Sequence, residues 1–334
     1  MTRLVPVAIA IAILTACNGA IGNTLAGSTD RLVMPYVMRS GDVGVGCAVG
    51  EGLGPMIGAF NDASHHAAKT SIVSMLSAGM CLEDDVWEAQ LDTARALRRE
   101  DTEGAHDASE RVQRAHAVAA RRYLSAWTLL ADEYGVPEPD GACPTLKKDS
   151  DQLIYMLGLS AGVLAVVHDM GAGGQAGVPM SIPASVVRAS ACLDDDKWWG
   201  APNAMKAAIW ALMEGSPDVG DPWALFGQSV AKGQTAGVRL AGAFLAQTAA
   251  STGHEAELRK AVKSHVGSLN ATPMDPKWAM LDVYATAIVR NESDRIWTAK
   301  VGYRTPTDAF GTFPDDVAVD DTKVDDDMFN DILK

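Results

Sequence analysis

Ser160 sits in Gly158-Leu159-Ser160-Ala161-Gly162, which fits G-x-S-x-G, the turn that presents the nucleophilic serine of α/β hydrolases. That chemistry needs the serine on a strained strand-to-helix turn and a histidine base that arrives late in the chain. Here residues Asp151 to Met170 read as one apolar helix, and His168 follows the serine by only eight positions. A serine inside a helix donates its hydroxyl to the carbonyl one turn back, so Ser160 is expected to be inert. A lipid-anchored serine hydrolase using Ser160 is the alternative reading. Gly171 to Gly177 is glycine-rich but lacks the lysine of a phosphate-binding loop and a preceding strand, so it reads as a flexible loop. His65-His66, His106, His116, His254 and His265 form no i, i+4 metal pair, and the chain has no C-x-x-C. Glu83-Asp84-Asp85 and Asp194-Asp195-Asp196 lack the spacing that wraps calcium; carboxylates at a helix start are stabilised by the helix dipole alone. No catalytic residue, metal or cofactor is expected. Trp198, Trp199, Trp210 and Trp223 are the candidate binding surface. Two adjacent tryptophans cannot both point inward on one helix face, so Trp199 is expected to turn outward into a groove between Trp198 and Gln247.

The cysteines carry a second kind of chemistry. Arg3 precedes an apolar run from Leu4 to Leu14, too short for a permanent membrane span. The run ends in Leu14-Thr15-Ala16-Cys17, which resembles a bacterial lipobox. Residues 1–16 are then a signal peptide, and Cys17 becomes the acylated first residue, held to a membrane by its acyl chains. Asn18 at the next position implies sorting to the outer membrane, with the body facing the periplasm. Exported thiols meet an oxidising environment, and the remaining four, Cys47, Cys81, Cys143 and Cys192, allow three pairings. Cys81-Leu82-Glu83-Asp84-Asp85-Val86-Trp87 is echoed 111 positions later by Cys192-Leu193-Asp194-Asp195-Asp196-Lys197-Trp198. If these are equivalent corners of a duplicated unit, each bonds the nearest upstream cysteine, giving Cys47–Cys81 and Cys143–Cys192.

The elements that must position these residues are mostly helical. The 334 residues are 48% hydrophobic but only 6% aromatic, rich in Ala and Gly and poor in β-branched runs. A net charge of -14 argues against nucleic acid as a partner. Residues 17–54 read as an anchor tether followed by a Gly-rich segment. Ala105 to Tyr134 shows apolar positions at intervals of three and four, interleaved with arginines, and Gly135 and Pro137 end it. Asp221-Pro222 and Asp275-Pro276 each place a capping carboxylate before a first-turn proline. The expected fold is all-α, stacked antiparallel helical hairpins over 55–304, as a tetratricopeptide-like solenoid or a helical bundle. Residues 305–334 hold nine aspartates against two lysines and read as a disordered acidic tail.

The order of a basic amphipathic helix (Arg111 to Tyr134), an apolar helix (Leu153 to His168), a Gly-rich loop, Pro179 to Cys192 and the corner Leu193 to Gly200 resembles the TatT family, the T component of TRAP transporters. The similarity runs over about Ser71 to Thr252. It implies a periplasmic lipoprotein of tetratricopeptide-like hairpins that associates with a transporter's substrate-binding protein and has no catalytic residue. Expected partners are therefore the membrane, a protein or a small apolar ligand, with room for self-association.

Overall fold

A computed structural model describes residues 18–213 and 220–316. Among these residues there is no strand, and helices pack on helices throughout, an all-α fold. The described residues open with a nearly continuous helical rod: α1 (18–28), a π-helical stretch (Thr29–Val33) and α2 (Met34–Ser40). There follow α3 (Val43–Gly58), α4 (His65–Met80), α5 (Glu83–Arg98), α6 (Thr102–Tyr134), α7 (Asp149–Gly171), α8 (Ile182–Ser190), α9 (Ala201–Leu212), α10 (Pro222–Ala236), α11 (Leu240–Ser251), α12 (Glu255–Ala271) and α13 (Ala279–Val301). The signal peptide and Cys17 lie outside the described residues, as does the acidic stretch 317–334.

Local chemistry sets many of the boundaries. Asp42, Ser64, Asp101 and Asp221 each accept backbone N–H groups from the first turn of the following helix. Gly135, at φ 76°, ends α6, and Gly237, at φ 69°, ends α10. Asp275-Pro276 behaves differently from the expected helix start. The Asp275 carboxylate accepts from Lys277 N–H, closing a turn first, and α13 begins only at Ala279.

α7 is the central helix. It is the one described helix long and apolar enough to cross a membrane, and most of it is buried among α4, α6, α8 and α9. The long α6 lies across α4, α5 and α7, and its large side chains stand on glycines. A Cβ on Gly158 would lie 2.2 Å from Leu130, on Gly162 2.5 Å from the Trp127 ring, and on Gly79 2.3 Å from Tyr123. The last helix, α13, packs on α11 and α12 and also returns to α2, α3 and α5, so the two ends of the helical stack meet.

The expected tether and Gly-rich segment, 17–54, is helical in nearly all its described part. Gly46, Gly50 and Gly54 fall at intervals of four on the buried face of α3, where a Cβ at Gly50 would meet the α4 backbone at 2.6 Å. Close approach of the α4 backbone accounts for Gly50, and room for the Met280 side chain of α13 accounts for Gly46. The disulfides join Cys47 to Cys81 and Cys143 to Cys192, with Cα separations of 5.1 and 5.6 Å. The first staples α3 to the end of α4; the second ties the loop after α6 to the end of α8.

The corners that suggested this pairing are not equivalent. Glu83-Asp84-Asp85 runs straight into α5, whereas Asp194 caps a turn through Asp196 and Lys197 N–H and α9 starts only at Ala201. The boundary at 304 also moves. Phe313 is fully buried, Trp297 Nε1 donates to the Thr312 carbonyl at 3.0 Å, and Asp315 pairs with Arg259 and Lys300. Apolar burial and ion pairs dock 305–316 on α12 and α13, where composition alone suggested a solvated tail.

Candidate functional site

A cleft of about 1050 Å³ is walled by the N-terminal rod, α4, α7 and the turn before α13. Such a volume lies at the upper end of small-molecule sites. Its floor is apolar, with Met34, Met38, Val73, Ile154, Leu157 and Trp278. The rim is charged and uneven. Asp30 receives His66 Nε2 at 2.5 Å and Thr70 Oγ1 at 2.9 Å, which ties the π-helical stretch to α4. Asp151 holds Lys69 Nζ at 3.1 Å and the Tyr134 hydroxyl at 3.0 Å, while Glu133 meets His65 Nδ1 at 3.0 Å. All three carboxylates are thus engaged. Five lysines and arginines line the same cleft, and Arg31, Arg39 and Lys148 make no ion pair with a described carboxylate. In a chain of net charge -14 this cleft is locally cationic.

The expected tryptophan surface does not form. Trp198 and Trp199 are both buried, edge to face at 5.4 Å, and each packs on Trp278, with Trp199 and Trp278 at 5.0 Å. The two are in a turn rather than on a helix. Trp199 takes φ 55° and Gly200 φ 77°, and this left-handed pair swings both rings to the same side. Trp210 is half-buried beneath Lys206 Nζ at 4.4 Å, and Trp223 stacks on Phe226 and meets His254. The four do not line one groove. Trp278, which the sequence reading passed over, reaches the cleft.

Ser160 is buried in α7 and donates to the Met156 carbonyl at 3.1 Å, with the Met205 sulfur at 3.4 Å. No histidine or carboxylate bonds to it. The glycines of its motif are the notches that admit Leu130 and Trp127 from α6.

A buried polar network was also missed. Glu83 accepts from His168 Nε2 at 3.0 Å and from the Tyr123 hydroxyl at 2.7 Å, and His168 Nδ1 meets His116 Nδ1 at 3.0 Å. Burial raises the Glu83 pKa, but His168, the Tyr123 hydroxyl and His116 together outweigh that effect and hold the carboxyl below its ordinary value. Burial, with His168 adding to it, pushes His116 down to about 4. Gly171 makes room for the His116 ring, since a Cβ there would lie 2.8 Å from it. Glu83 read as one of three dipole-stabilised carboxylates at a helix start; the separation of 85 positions from His168 leaves no local signal of the pair. Among the described residues no group of three or more His, Cys, Asp or Glu side chains is arranged to hold a metal ion.

No family model, curated protein or solved structure matches the chain.

Proposed function

We propose that this is a non-enzymatic, lipid-anchored helical binding protein of the periplasm that holds a small, largely apolar ligand with an anionic end in the cleft between the N-terminal rod and α7. One observation carries the reading: an apolar floor lies beneath a rim whose carboxylates are all engaged while Arg31, Arg39 and Lys148 have no partner among the described carboxylates. Burial of an apolar chain supplies affinity, and the free cations supply orientation. Ser160 takes no part, since its hydroxyl is held by the Met156 carbonyl inside a continuous helix. The resemblance to TatT lipoproteins adds a role beside a TRAP-type transporter, with its substrate-binding protein receiving or delivering the ligand.

Calorimetric titration with a medium-chain carboxylate and with the alcohol of equal length tests this reading. The carboxylate is expected to bind at least tenfold more tightly, the double variant Arg39→Glu/Lys148→Glu to remove that preference, and Ile154→Trp, which fills the floor, to abolish binding of both. Equal affinity for the two compounds, or undiminished binding by Ile154→Trp, would sink it.

A further inference from the structure

Residues 18–40 form a rod of helical turns about 35 Å long at about 1.5 Å per residue, and its two faces differ in a way that packing does not require. The inner face is accounted for. Ala26 packs with Ile57 and Ala67, Thr29 is buried, and Val37 joins the main core. The outer face nevertheless presents Ile21, Leu32 and Tyr36, which are 53%, 73% and 67% exposed. Scattered single apolar residues on a surface need no explanation, but these three follow one side of one element. Arg31 and Arg39 flank Leu32 and Tyr36. Their Nε atoms donate to the Gly27 and Pro35 carbonyls, and neither guanidinium pairs with a described carboxylate. The rod's single acidic residue, Asp30, is turned to His66 and Thr70.

An exposed apolar stripe flanked by cations is the chemistry of a helix that lies in the interface of an anionic bilayer. Position in the chain points to the same occupant. In sequence, the rod follows the apolar run from Leu4 to Leu14 and Cys17. Whether those residues act as a membrane-inserting leader or leave an acylated Cys17, they deliver the start of the rod to a membrane. We propose that the outer face of residues 18–40 is a membrane-seating surface that rests on an anionic bilayer. Arg31, Pro35 and Arg39 belong both to this face and to the rim of the cleft. Seating the rod therefore sets the cleft mouth at the headgroup level. The inference concerns orientation on the membrane and stands apart from what the cleft binds.

Nitroxide labels on Leu32→Cys or Tyr36→Cys in the full chain test it, with Met180→Cys, at a site 88% exposed and outside the rod, as the reference. The parent chain gives the background. The chain is bound to vesicles of phosphatidylethanolamine and phosphatidylglycerol, and collisions of each label with oxygen and with a water-soluble nickel complex are compared. Labels at 32 and 36 are expected to become oxygen-accessible and at least fivefold less accessible to nickel than the label at 180. Arg31→Glu with Arg39→Glu is expected to return them towards the aqueous value. Three outcomes overturn the proposal: labels at 32 and 36 as open to nickel as the label at 180; shielding already present without vesicles, which would assign the face to residues 1–17 or to a second copy; or immersion that survives the double charge reversal.

Discussion

Leu130 of α6 stands directly on Gly158 of α7, at a place where a single added Cβ would come within 2.2 Å of its Cδ1. One turn further along α7, Gly162 receives Trp127 in the same way. The two glycines that make the Ser160 motif look catalytic are thus part of the contact surface between α6 and the central helix α7. Gly158→Ala and Gly162→Ala should each destabilise the fold by about 1–3 kcal/mol through overpacking, despite the better helix propensity of alanine. Ser160→Ala should cost less than about 1 kcal/mol, because it removes one helix-internal hydrogen bond. Urea denaturation of the three variants checks the order, and a fluorophosphonate probe should leave Ser160 unlabelled.

Peptide mapping without reductant should recover Cys47 with Cys81 and Cys143 with Cys192. The bridges close loops of 34 and 49 residues, for which chain entropy gives a stabilisation of about 4 kcal/mol each. Cys143→Ser should lower the unfolding midpoint and loosen the loop after α6. Other ties on that loop are Arg188 Nε to the Pro137 carbonyl at 2.8 Å, the Tyr155 hydroxyl to the Gly135 carbonyl at 3.3 Å and Gln152 Nε2 to the Leu146 carbonyl at 3.2 Å. Unchanged urea stability in Cys143→Ser would contradict the entropic account of this bridge.

Trp199→Ala should behave as a core truncation, with a loss of about 3–5 kcal/mol on unfolding. Its ring is 7% exposed and wedged between Trp198 and Trp278. Thermal denaturation distinguishes this from a surface role, in which the midpoint would hardly move.

Glu83→Ala should cost about 3–5 kcal/mol, since it leaves the His168 imidazole and the Tyr123 hydroxyl buried without their acceptor. Glu83→Gln keeps one acceptor oxygen and should cost less. A urea series on both variants measures the difference.

Stability should fall as the pH drops from about 6.5 towards 4. Burial, with Arg239 nearby adding to it, pushes His265 down to about 4, so the unfolded chain binds its proton first and acid favours unfolding across that window. The Nε2 of His265 faces the Thr286 hydroxyl at 3.0 Å, which serves a neutral ring. At pH 5 this one group should have lost about 2 kcal/mol, from 1.36 kcal/mol per pH unit. His116, also pushed down by burial, acts in the same window, and Glu83, held below its ordinary value, adds to the loss only below about pH 4.5. Glu292, Asp294 and Asp282, all raised chiefly by burial, act against it. The decrease in midpoint between pH 7 and 5 should therefore be smaller in His265→Gln than in the parent, and an identical decrease would refute the assignment.

Element type and many boundaries were legible in the chain because they rest on neighbours in sequence. The periodicity from Ala105 to Tyr134 gave α6, Asp221 before Pro222 gave the start of α10, and Gly135 gave a helix end. The helical reading of Asp151 to Met170 also settled the conformation around Ser160, because a hydroxyl bonded one turn back is a local event. The cysteine pairing came from nearest-neighbour logic even though the echoed corners differ in structure. What meets what across the molecule was not encoded locally. His168 finds Glu83 at a separation of 85 residues, and Gly50 and Gly54 of α3 face α4 in a stretch where composition read only a Gly-rich segment. The direction of Trp199 depends on a left-handed backbone pair that helix periodicity cannot anticipate. The cleft exists only because the rod, α4, α7 and the turn at Trp278 converge. Sequence alone determined that the chain is helical and where many of its helices start and stop; the tertiary structure decided their partners, since a buried face is satisfied by distant surfaces whose shape no local pattern specifies.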